Sequence, residues 1–98
     1  APWTDWHSGL CTNCIYHEVV GVAPNRKLIV SYDNVPLFSC TGFQGSFQIV
    51  LYETSNKIEN HLTHVDVCAA WDLGIATQGI LNEDGTQGYA VAGRNATD

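Results

Sequence analysis

Methionine is missing altogether, Lys and Arg together number four, and no apolar run approaches the length of a membrane span. Each shortage removes a class of function. Four cations stand against ten Asp and Glu, for a formal charge of −6. Nucleic acid and anionic membranes need clustered positive charge, and the only close pair is Arg26-Lys27, so both are poor partners. A helix crossing a bilayer needs roughly 20 consecutive apolar residues, which excludes a spanning helix. The missing Met, with no charged-then-apolar leader, reads as a mature or excised segment of an exported chain. Helical periodicity is lacking too: no segment holds apolar residues at i, i+3, i+4 and i+7 for long. The common catalytic templates are also missing, including the G-x-S-x-G elbow, H-E-x-x-H and a phosphate-cradling glycine loop.

What remains is a chain of 98 residues, 45% hydrophobic, enough for one core with little stability to spare. Four cysteines are many for this length, and the even number favours two disulfides and an oxidising compartment. Three pairings are open. Cys11–Cys14 with Cys40–Cys68 is favoured, the first pair being close in sequence and the second flanking a hairpin-like unit. Zinc on four thiolates is the alternative, although Cys40 and Cys68 lack the short C-x-x-C spacing of such sites. No cofactor or metal is expected, and paired cysteines leave no thiol nucleophile.

Period-two alternation points to strands. Phe47, Ile49 and Leu51 alternate with Gln48, Val50 and Tyr52, and Thr54-Ser55-Asn56-Lys57 supplies a turn before a run from Ile58 to Leu62. Upstream lie Ile15 to Val22 and Lys27 to Asp33, the latter closed by Asn34 and Pro36; Thr41-Gly42 and Gln44-Gly45 read as the next loop. Downstream, Ile75 to Leu81 and Tyr89 to Ala92 flank the turn Asn82-Glu83-Asp84-Gly85. The expected fold is all-β: a disulfide-stapled antiparallel sandwich of about six to eight short strands over residues 15–98, preceded by an N-terminal arm over 1–14.

Several residues invite chemistry. His61 and His64, with Asp66 nearby, would share one face of a helix, but three residues apart on a strand they point to opposite faces. The acidic turn 82–86 suggests calcium, yet Asp-Gly is explained by the turn itself and too few oxygens are present. Trp3, Trp6 and Trp71 could stack on sugars, against the ordinary role of indoles in packing. Asn95-Ala96-Thr97 fits the N-glycosylation sequon. Unpaired sheet edges leave strand-mediated assembly with other domains or copies as a further role, with residues 1–10 as the candidate exchanged arm.

The stretch Gly21 to Val30, with Asn34-Val35-Pro36, Gln48 to Thr54, Asn56 to Glu59, Cys68 to Trp71, Gln78-Gly79-Ile80 and Gly93 to Thr97, resembles a β-domain of large surface proteins of gliding bacteria. These are multidomain chains often exported by type IX secretion. The resemblance covers most of residues 15–97. It implies a non-catalytic extracellular module, structural or adhesive, with Phe47 in the core and Cys40 and Cys68 structural. On this reading the chain is a cell-surface module or the building block of an extracellular filament, not an enzyme; a carbohydrate-binding module is the alternative.

Overall fold

A computed structural model describes residues 2–95. Among them, seven strands form two antiparallel sheets. The larger sheet has the order β2-β3-β4-β5, with β2 at Ile15–Val20, β3 at Lys27–Leu37, β4 at Cys40–Tyr52 and β5 at Ile58–Val65. The smaller has the order β1-β6-β7, with β1 at Pro2–Trp3, β6 at Thr77–Leu81 and β7 at Gly88–Ala90. Cys11 is bonded to Cys14 and Cys40 to Cys68.

The alternation read from the sequence becomes the pleat of the large sheet, but two boundaries differ. Thr41 to Gly45, expected as a loop, belongs to β4, and β3 continues through Asn34 and Pro36 to Leu37. The chain turns only at Phe38-Ser39, where Leu37 pairs with Cys40 and Ser39 takes a φ of 62°. Local breakers are overridden because both sides of the hairpin gain ladder partners. Asn34 sits at a φ of 50° inside a register shift between Tyr32 and Val35, and its N–H donates to Ser46 Oγ at 2.8 Å. Pro36, which has no N–H to donate, still accepts from His7 N at 2.8 Å.

The N-terminal arm is engaged by its own chain. Pro2 and Trp3 pair with Gln78 and Thr77, Phe38 N donates to Asp5 O, and Trp6 forms a bridge with Leu37. The Trp6 ring lies 5.4 Å from Phe47, which is stacked on Tyr32 at 4.2 Å. Cys14, Val35, Leu37, Phe47, Val50 and Cys68 are the buried apolar residues; Leu37 and Phe47 lie where arm and sheet meet, and Val50 lies on the other face of the large sheet.

Gly45 is what admits the arm. A Cβ there would overlap the Trp6 indole, coming within 2.6 Å of its Cζ3. Gly45→Ala is therefore expected to expel Trp6, at a cost of about 1–3 kcal/mol typical of overpacking. Red-shifted tryptophan emission together with faster proteolysis within residues 1–10 is the expected signature.

Candidate functional site

The feature that stands out is an uncovered apolar sheet face. Strand register puts Val19, Leu28, Leu51 and Ile58 in one row across the sheet, and His17, Val30, Ile49 and Asn60 in the next. A third row, Ile15, Tyr32, Phe47 and Leu62, lies at the end where Trp6 packs. The first row stays open: Val19 is 59% exposed, Ile58 53% and Leu51 39%. No charged carboxylate or ammonium group interrupts these rows. A sheet that buries one face normally covers it completely with a second layer, and here the layer stops half-way.

The opposite face is mixed: Val50 is buried there beside Ile29, and its polar side chains are paired with one another. Gln48 Nε2 donates to Ser31 Oγ at 3.0 Å, and Tyr52 donates its hydroxyl to Glu59 at 2.9 Å. Glu59 also holds Lys57 at 2.7 Å and His61 at 2.6 Å. Hydrogen bonding from Lys57, then His61 and Tyr52, brings the Glu59 carboxyl down to about 2. Glu53 is likewise held at about 2 by hydrogen bonds from the Arg26 side chain and backbone. Both folded values lie below the ordinary carboxylate value, so the unfolded chain takes up protons first as pH falls. The stability these groups contribute is complete above about pH 4.5 and is lost on the way down through about 2. Urea midpoints should therefore fall between pH 5 and 2, with a shallower fall in Glu53→Gln; the pairs are solvent-facing, so the effect is modest.

His61 and His64 do not point to opposite faces. An extra residue in β5 shifts the register, so that His61 lies opposite Gln48 and His64 opposite Ser46, which share a face. A bulge has changed the parity that simple alternation assigns. Among the described residues, no group of three or more His, Cys, Asp and Glu is arranged to hold a metal ion. In the acidic turn, Asp84 Oδ1 accepts from both the N–H and the hydroxyl of Thr86, and Asn82 Oδ1 accepts from Gln87 N. The Thr86 bonds lower the Asp84 carboxyl.

The three tryptophans occupy different settings. Trp3 is 43% exposed, Trp6 is half-buried with Nε1 donating to Pro2 O, and Trp71 is half-buried against Phe38 with Nε1 donating to Asp5 Oδ2. Trp71 borders a cleft of about 360 Å³ between the sheets, together with Leu62, Asp66, Thr77, Gln78 and Arg94. Arg94 donates to Gln78 Oε1 at 2.9 Å across its rim. Asn95 is exposed and its Oδ1 accepts from Thr77 at 3.4 Å; Ala96 and Thr97 of the sequon lie outside the described residues.

A family model described as NIDO related matches residues 1–98. The chain belongs to the NIDO-related family. Neither the curated proteins nor the solved structures supply a significant match. The NIDO-related family is of an extracellular module type, and with two disulfides it indicates an extracellular or secreted setting. Among the described residues, no helix of this NIDO-related chain is long and apolar enough to cross a membrane. The open row Val19, Leu28, Leu51 and Ile58 was not singled out from the sequence. Its signal is the alternation itself, which marks a face as apolar but not whether anything covers it.

Proposed function

We propose that the chain is a non-catalytic structural or adhesive module, in which the open half of the large sheet is covered by another protein surface. The row of Val19, Leu28, Leu51 and Ile58, exposed at Val19, Leu51 and Ile58, carries this reading, because contiguous exposed apolar surface marks interaction sites. Ile80 and Tyr89, paired across the small sheet and 50% and 72% exposed, add a second apolar patch. The partner is another domain of the same surface chain or another copy of the module. The gliding-bacterial resemblance supports placing it in a long exported chain. Electron microscopy of the purified chain tests the reading: ordered filaments or multimers that Ile58→Lys dissolves support it. Isolated particles at every concentration, with no domain of the parent chain bound, oppose it.

A second reading is favoured by the cleft. An indole edge beside Asp66, Gln78 and Arg94 offers the stacking and hydrogen-bonding groups a sugar requires. Glycan-array binding abolished by Trp71→Ala supports it; an empty array removes it.

A further inference from the structure

Four outer strands could accept another strand, and three of them are blunted. β1 and β7 are two and three residues long. β5 carries Glu59, His61 and His64 and a register shift. Short length, charge and bulges are the usual protections of an edge. β2 is protected least, with only His17 and Glu18: six residues, Ile15-Tyr16-His17-Glu18-Val19-Val20, all exposed, with an unbroken register to β3. It has no Lys and no Pro.

The backbone of β2 sets which of its groups are free to pair. Asp33 N donates to Cys14 O at 2.8 Å, and Cys14 lies one step before the Ile15–Tyr32 pair. Bonding alternates along an antiparallel ladder, so Tyr16, Glu18 and Val20 direct N–H and C=O toward β3. Ile15, His17 and Val19 direct theirs outward. A strand that adds here must place its own outward residues opposite these three.

We propose that the occupant is β2 of a second copy, paired antiparallel about His17. In this register His17 faces His17 of the other copy, Ile15 faces Val19, and Tyr16 faces Glu18. Every outward N–H and C=O of Ile15, His17 and Val19 then finds a partner on both copies. Ile15 and Val19 meet on the apolar face, so the open rows continue from one copy into the next. Of the two neighbouring registers, one sets Glu18 against Glu18 and leaves Ile15 without a strand partner, and the other sets Tyr16 against Tyr16 and leaves Val19 without one. Lost ladder bonds disfavour both, and like-charge repulsion disfavours the first as well. One-residue slips set outward groups against inward ones and cannot form the ladder. The product is an eight-stranded sheet with two-fold symmetry.

This inference rests on the assembly reading above, and the two fail differently. All four native cysteines are bonded, so an introduced cysteine is the one free thiol. His17→Cys should crosslink rapidly to a covalent dimer under mild oxidation, since directly opposed bonded residues lie about 5.5 Å apart at Cα, within disulfide reach. Glu18→Cys should crosslink at least tenfold more slowly. His17→Pro removes only an outward N–H and should weaken association at least tenfold in sedimentation velocity while leaving the far-UV spectrum unchanged. Equal crosslinking of the two cysteine variants, or faster linking through position 18, overturns the register. Association lost in Ile58→Lys but untouched by His17→Pro overturns the edge and keeps the assembly reading. Monomers throughout overturn the pairing.

Discussion

Phe47→Ala is expected to cost about 3–5 kcal/mol of folding stability, the range for deleting a buried aromatic side chain. Phe47 is 3% exposed and lies at the junction of everything that closes this fold. Tyr32 stacks on it from β3, Trp6 packs on it from the arm, and Leu62 faces it from β5. Few other large side chains are as deeply buried, so the neighbours cannot collapse into the cavity from a second layer. For a domain with roughly 5–15 kcal/mol in total, such a loss removes a large share. Urea unfolding should show the drop in midpoint, and Phe47→Leu should recover part of it. A loss below about 1 kcal/mol would mean that the arm and sheet are held together elsewhere.

The second large effect is expected from opening Cys40–Cys68. This bridge spans a sequence separation of 28 and ties the start of β4 to the segment after β5, enclosing both strands. Chain-entropy reasoning gives it roughly 3.5 kcal/mol, against about 2 for Cys11–Cys14, which spans only three positions. Cys68 is also buried beside the inter-sheet cleft, so its loss loosens the layer that the small sheet provides. Paired serine variants at each bridge should therefore rank with Cys40/Cys68 the more damaging by urea midpoint. A reversed order would contradict this account of how the sheets are held.

Much of the fold was legible because alternation is a local property. Leu28, Val30 and Tyr32, and Phe47, Ile49 and Leu51, announce their strands and even their common face, which the register then confirms as adjacent rows. The all-β class and the two antiparallel sheets follow from such runs. Less legible was anything decided by a partner strand. Thr41 to Gly45 looks like a loop in isolation and becomes strand only because β3 continues beside it. The side on which His64 lies depends on one extra residue in β5, which no periodicity displays.

The candidate site was legible in the same uneven way. Hydrophobic alternation shows that one face of the large sheet wants cover, but not that the second layer stops at Trp6 and leaves Val19, Leu51 and Ile58 open. Indoles are conspicuous in a sequence, yet Trp6 serves the seat at Gly45 and Trp71 packs on Phe38. Free backbone on β2 is not visible at all until the β2–β3 register fixes which residues point outward.

The central claim is that the open row of the large sheet is a surface meant to be covered. Hydroxyl-radical footprinting of the chain, from dilute to concentrated solution, reads those side chains directly. Val22 and Leu73, 81% and 75% exposed outside the sheet, serve as internal references. The account predicts that labelling of Leu51 and Ile58 falls several-fold on assembly while Val22 and Leu73 stay constant. Protection confined to Ile15 and Val19 would show edge pairing without face burial. Labelling of Leu51 and Ile58 that persists unchanged in the assembled state would contradict the claim.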